Sequence, residues 1–325
     1  MPSEGNEGVL LDGRALIPVE DPADPRIAAF RDIRERDLTG RQGRFIAEGT
    51  VVLRMLAAAH KAGGAFAAES ILILKNRLAG VADILADFPA EVPVYVAEAP
   101  VLDGIVGFHL HRGILALGRR VERDGLEEMT AALPAASLVL VGCGISNHDN
   151  LGAMFRNAAA FYADAVLLDE TSCDPLYRKA LRVSVGSVLS VPYHRGGGAV
   201  AMLERLSEAG FAIWSLSPNG ETEIRDIPRS ERMALVIGTE GEGLPQSVLS
   251  RFHTARIAQS PQLDSLNAGT ASGLALYQMA GVMGRMLVFC LPGSPGGCRD
   301  GWDKVIRWQI DSRYRPCNLV KLTQG

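Results

Sequence analysis

Two glutamates in a glycine turn, an arginine on a helix and a serine–asparagine pair at a helix start are the residues of this chain best suited to chemistry. The turn lies in ALVIGTEGEGLP, Ala234 to Pro245, where an apolar run gives way to Gly238, Thr239, Glu240, Gly241, Glu242 and Gly243. Glycine turns that cradle phosphates read G-x-G-x-x-G after the first strand of a unit, or carry a lysine directly after the glycines. Here the spacing is G-x-x-G-x-G after a late strand, no lysine follows, and two carboxylates would repel a phosphate. Such a turn suits a cationic or hydroxyl-bearing ligand such as a sulfonium; a bare solvent-exposed turn is the alternative.

Arg156 lies in NLGAMFRNAAAFY. Leu151, Met154, Phe155, Ala158 and Tyr162 share one helical stripe, and Asn150 is placed to cap the helix. At 100° per residue, Arg156 sits roughly 140° from the centre of that stripe. It therefore points away from the core, as an ordinary surface arginine or as one presented at the carboxyl edge of a sheet, where α/β ligand sites lie. Ser265 and Asn267, in LDSLNAGTASGLALY, sit at another helix start, where both residue types cap.

The pattern around these residues is α/β. In the first half, Gly49–Gly63 and Leu78–Phe88 read as helices, and Glu69–Asn76, Val92–Ala99 and Arg112–Arg120 as strands. In the second half, Ser137–Gly142, Asp164–Glu170, Gly186–Tyr193, Gly210–Pro218, Ala234–Gly238 and Thr254–Ala258 read as strands with helices between several of them. Continuous apolar strands alternating with helices predict a parallel sheet covered on both faces. Polar residues from Val121 to Ser137, with Pro134, mark a boundary. The chain divides into an N-terminal α/β unit with a flexible acidic start over 1–125, a second unit over 126–286, and a tail over 287–325 whose order the pattern leaves open.

Composition excludes several classes. The 325 residues carry a net charge of −4 and are 47% apolar, which describes a globular protein and not a general polyanion binder. No apolar run reaches the roughly 20 residues of a membrane helix, and the N-terminus lacks a signal-peptide layout, so a cytoplasmic address without membrane contact is expected. Cys143, Cys173, Cys290, Cys298 and Cys317 have no metal-ligand spacing and read as free thiols, with no metal expected. Arg26 to Arg44 holds six arginines against three acids, and Tyr177–Arg182 is a second basic cluster. Both are solvated faces or phosphate contacts.

Taken together and in order, the three segments resemble the SpoU (TrmH) family of SPOUT RNA methyltransferases. Its first motif, N-x-G-x-x-x-R-x-A, is matched by Asn150, Gly152, Arg156 and Ala158; its second, I-G-x-E-G-x-G-L, by Ile237 to Leu244; its third, S-L-N, by Ser265, Leu266 and Asn267. DPLYRKALRVSVGSVLSVPY resembles the segment between them, and the likeness runs from Ser137 to about Arg285. RFIAEGTVVLRMLAAA, VPVYVAEAPVLDGIVG and HRGILALG look like the family's small substrate-binding unit. The chain departs from the family at IAQS (Ile257–Ser260) for I-P-M, at NAGTA for N-V-S-V-A, and at Tyr162 for a glycine.

The resemblance implies a trefoil-knotted, parallel-sheet methyltransferase domain behind a smaller α/β RNA-binding domain. It implies transfer of a methyl group from S-adenosyl-L-methionine to a ribose 2′-hydroxyl of ribosomal or transfer RNA, ribosomal by preference, in a homodimer without metal. Arg156, Asn150, Glu240 and Asn267 would carry catalysis. Gly238, Thr239, Glu240, Gly241, Gly243, Ile257, Ser265, Leu266 and Asn267 would hold the cofactor. Two alternatives stay open: a non-catalytic RNA-binding or ribosome-assembly protein of the same fold, and a nicotinamide-dependent oxidoreductase suggested by sheet and glycine turn alone.

Overall fold

Ser137–Gly142 is buried at every position, and its neighbours alternate sides: Leu138 and Leu140 enter one core, Val139 and Val141 another. Side chains of a strand point to opposite faces in turn, so a run apolar on both must be covered on both. A computed structural model describes this arrangement for residues 10–11, 13–31, 39, 42–106, 113–121, 125–260, 262, 265–283, 299 and 302–303. Cys290, Cys298, Cys317, Arg34, Arg36, Arg41 and nearly all of 287–325 lie outside the described residues.

The first sheet joins β1 (Leu10–Leu11), β2 (Arg14–Val19), β3 (Arg44–Glu48), β4 (Phe66–Leu74), β5 (Val94–Ala97) and β6 (Ile114–Arg120) in the order β1-β2-β5-β4-β6-β3. β2, β5 and β4 are parallel, while β6 and β3 close the sheet antiparallel. α1 (Thr50–Lys61) covers one face through Val52, Leu53, Leu56 and Ala57, at helical spacing. The expected helix over Leu78–Phe88 is shorter: a 3₁₀ turn over Lys75–Gly80, then α2 (Ala82–Ala86). The sequence reading assigned no element to Arg14–Val19. There Arg14 anchors the strand by donating to the carbonyls of Val92 and Phe88 at 2.8 and 2.5 Å. α3 (Ala99–Val106) follows β5.

The second sheet is parallel throughout: β11-β13-β10-β12-β7-β8-β9, with β7 (Ser137–Gly142), β8 (Ala165–Leu168), β9 (Tyr193–Arg195), β10 (Ala212–Leu216), β11 (Thr222–Glu223), β12 (Arg232–Ile237) and β13 (His253–Arg256). α4 (Leu126–Ala132), α7 (Ala199–Glu208) and the short α8 (Gln246–Leu249) supply one face. α5 (His148–Ala160) and α9 (Ala268–Val282) supply the other. α6 (Arg178–Val183) packs between α5 and the first sheet, where Arg178 lies 3.8 Å from buried Glu48. Among the described residues no helix is long and apolar enough to cross a membrane.

The expected strand over Gly186–Tyr193 is a correction. Ser187–Leu189 forms a 3₁₀ turn, and the strand is only Tyr193–Arg195. The hydroxyls of Ser184, Ser187 and Ser190 donate to the carbonyls of Leu181, Ser184 and Ser187, at 3.0, 2.8 and 3.1 Å. Such local bonds offer the backbone an alternative to the ladder, and apolar periodicity does not register them.

α5 ends in a Schellman turn: the Ala163 amide donates to the Ala158 carbonyl, and Tyr162 sits at φ 58°. The left-handed region crowds a Cβ, which is why glycine is usual there. Tyr162→Gly is therefore expected to raise the unfolding free energy by about 0.5–1 kcal/mol, measured by urea denaturation.

Candidate active site

Parallel strands deliver their following loops to one edge of the sheet, where α/β proteins place their ligands. Here the loop after β12 curls back on itself. The Gly243 amide donates to the Thr239 carbonyl at 3.2 Å, and Gly241 and Gly243 take φ of 89° and 71°. A Cβ on Gly238 would fall 2.5 Å from the Gly243 carbonyl carbon, so any side chain there forces the turn open. The glycines first serve the turn's own closure.

Against this turn lies a cavity of about 380 Å³. Gly238, Thr239, Glu240, Gly241, Gly243, Ile257, Ser265 and Leu266, all expected ligand residues, line it together. Leu216, Ser217, Pro218 and Asn219, from the end of β10, also line it and were missed. An S-P-N-G stretch reads as an ordinary turn, so only its place on the sheet gives it away. Among the described residues the ionisable side chains lining the cavity are Glu240 and Glu242. The lining is thus part apolar and part anionic, which fits a cation carried on an uncharged ring system and opposes a phosphate.

Asn267 joins the three distant segments. Its Nδ2 donates to Asn150 Oδ1 at 2.8 Å and to Glu240 Oε1 at 2.6 Å. Its Oδ1 accepts from the Thr270 amide at 3.2 Å, capping α9 as expected. The amide orientation is chemically fixed, because a carboxylate only accepts and a backbone amide only donates. Asn150 does not cap α5, which is a correction: Asn147 does, accepting from the Asp149 amide at 2.8 Å. The helix starts earlier, leaving Asn150 in its first turn, buried and aimed at Asn267.

Arg156 stands apart from this cluster. Six residues beyond Asn150, it is about 9 Å further along α5 and some 120° around it. Its side chain is exposed, with no hydrogen-bond or ion-pair partner among the described residues.

A further group escaped the sequence reading. Asp169, 7% exposed after β8, accepts from the amides of Gly144 and Ser172 and the hydroxyls of Thr171 and Ser172, at 2.7–3.0 Å. A carboxylate can satisfy several donors at once, and this one pins the loop from Cys143 to Asn147 that launches α5. The signal was local, D-E-T-S, an acid followed by hydroxyls at the spacing of a side-chain-capped turn. Burial pushes the thiols of Cys143 and Cys173 up to about 12 and about 11, so both stay protonated at neutral pH and offer no nucleophile.

A model of the SpoU rRNA Methylase family matches residues 137–277. An uncharacterized tRNA/rRNA methyltransferase of Mycobacterium tuberculosis is 39% identical over 285 residues, covering 85% of this chain and 96% of the relative. Among solved structures, an RNA 2′-O ribose methyltransferase is similar at 26% identity with a TM-score of 0.65, over 84% of this chain and all of that one. An AdoMet-bound rRNA methyltransferase of Sinorhizobium meliloti shares the fold with a TM-score of 0.68 at 20% identity, over 84% of this chain and 99% of its own.

Proposed function

This chain belongs to the SpoU rRNA Methylase family, and on that premise we propose that it methylates a ribose 2′-hydroxyl of RNA, ribosomal by preference, using S-adenosylmethionine. The observation that carries the reading is the Asn150–Asn267–Glu240 junction beside an anionic, partly apolar cavity. S-adenosylmethionine would bring an electrophilic methyl on a sulfonium, with an adenosine that suits the apolar lining.

The chain's own residues then have defined tasks. Backbone groups at Gly238, Ile257 and Leu266 hold the adenosine, and Glu240 and Glu242 favour the positive charge by attraction. Asn267 fixes the Glu240 carboxylate and Asn150 amide in one frame. A ribose hydroxyl is a poor nucleophile until its proton leaves. A guanidinium carries five N–H donors and no acceptor, so it serves better as a donor than as a base. Arg156 donates to the developing alkoxide while the proton passes to water, and its planar fork can hold a neighbouring RNA phosphate.

Arg156 lies on another face of α5 from Asn150, which suits a site completed by a second copy of the chain. Tyr162, Leu274 and Tyr277 are 61, 48 and 41% exposed at the end of α5 and along α9, an apolar patch for a homodimer. The convergence of the β12 turn, the loop after β13 and the start of α9 supports a threaded, trefoil-knotted backbone. Arg44 and Arg26, ion-paired to Glu69 and Asp24 yet half exposed, offer the first unit an RNA-backbone contact. A cytoplasmic address accords with an RNA substrate.

The test is direct. The protein is incubated with methyl-labelled S-adenosylmethionine and total RNA from a strain lacking the gene. After alkaline hydrolysis the label should be recovered from ribosomal RNA in uncleaved dinucleotides, because a 2′-O-methyl blocks strand cleavage at its own phosphate. Absence of label from every RNA, or label recovered in mononucleotides, refutes the reading.

A further inference from the structure

α5 and α9 meet along a seam that continues beyond the motif residues Asn150 and Asn267. Asn150, Ala153 and Asn157 fall at i, i+3 and i+7, on one face of α5. Against them lie Asn267, Gly269 and Gly273 of α9 and its cap. A Cβ on Gly269 would come within 2.8 Å of the Ala153 Cβ, and one on Gly273 within 3.1 Å of Asn157 Nδ2. The helices therefore touch almost backbone to backbone. Two turns below the Asn150–Asn267 bond, Asn157 Nδ2 donates to the Gly269 carbonyl at 2.8 Å and to Ser272 Oγ at 2.9 Å. Ser272 is fully buried and donates in turn to the same carbonyl at 2.7 Å.

We propose that Asn157 is a positioning residue that locks the rotation and register of α5 against α9, and so fixes where Arg156 stands relative to the Asn267 cap. The inference rests on the methyl-transfer reading. The physical need is clear from helix geometry. Core packing of Leu151, Met154, Phe155 and Ala158 sets the buried face of α5. Across the seam the Asn150 bond alone leaves a single polar pivot, and a slip of one residue would swing Arg156 by about 100°. A second bond on the same face, two turns away, removes that freedom. Small residues at Gly269 and Gly273 bring the helices close enough for a short amide side chain to reach a backbone carbonyl. Because Ser272 also serves the Gly269 carbonyl, loss of Asn157 leaves no orphaned acceptor there, and the fold survives its removal.

The experiment uses the full chain with Asn157→Ala and Asn157→Asp. Single-turnover methyl transfer is read alongside S-adenosylmethionine and RNA dissociation constants and the melting temperature. Asn157→Ala should transfer about tenfold more slowly, the effect of a modest misplacement, while both dissociation constants stay within about twofold of wild type. Asn157→Asp should be equally slow at pH 8, where its carboxylate only accepts. Its rate relative to wild type should climb as pH falls toward 5, because a protonated carboxyl regains a donor. Folded variants with wild-type rates across the pH range overturn the proposal. So does a rate loss that tracks weaker binding or melting, with no recovery of Asn157→Asp in acid. A wild-type chain that transfers no methyl overturns the underlying reading and this inference with it.

Discussion

Arg156→Ala is expected to lower single-turnover methyl transfer by about 10²- to 10³-fold, the usual effect of removing one donor to a developing oxyanion. The structure separates this from a folding defect. The side chain is exposed and makes no bond among the described residues, so unfolding free energy should stay within about 0.5 kcal/mol of wild type. S-adenosylmethionine affinity should also hold, since Arg156 does not line the cavity. Arg156→Lys keeps the charge and loses the planar fork, so it should recover only part of the rate. Wild-type turnover by Arg156→Ala would remove the arginine from the mechanism. In a homodimer, mixing Arg156→Ala with Asn267→Ala chains should restore some activity if each pocket draws on both subunits.

Asn267→Ala should be the second most damaging change, for a different reason. It deletes the donor to Asn150 and Glu240 and the acceptor that caps α9. Loss of a helix cap costs about 1 kcal/mol, and buried Asn150 loses the partner of its carbonyl oxygen. We expect about 1–2 kcal/mol of destabilisation by urea denaturation, with S-adenosylmethionine binding weakened about 10- to 100-fold by calorimetry as Glu240 loses its tether. Asn267→Asp divides the two effects. Its carboxylate still caps Thr270, restoring most of the stability, but it faces Glu240 across a 2.6 Å gap and repels it. Full cofactor affinity in Asn267→Asp would mean that the Glu240 contact has no part in binding.

The three motif segments were legible because each carries a local chemical signature. A glycine turn with carboxylates, a polar residue at a helix start and an arginine off an apolar stripe all follow from periodicity and residue type. The same logic predicted a parallel sheet buried on both faces, since β7, β8 and β12 are apolar at nearly every position. It failed over Gly186–Tyr193, where serine hydroxyls bonding three residues back compete with a strand, and at Arg14–Val19, where a guanidinium secures the edge from a distance.

What the chain by itself determined is therefore the kind of element, strand or helix, and the charge of the glycine turn, which opposes a phosphate and suits a cation. Tertiary structure decided which groups meet. Asn150 reads from its position as a cap, and only the start of α5 one turn earlier, at Asn147, frees it for Asn267, 117 residues away. Asp169 had a local signature in D-E-T-S, whereas Asn157 bonds to a backbone carbonyl, which every residue possesses, and to a serine 115 residues away, so no local pattern announces it. Periodicity records which face of an element is buried; the partner on that face is set by sheet order and helix approach, here by glycines that let α9 close on α5.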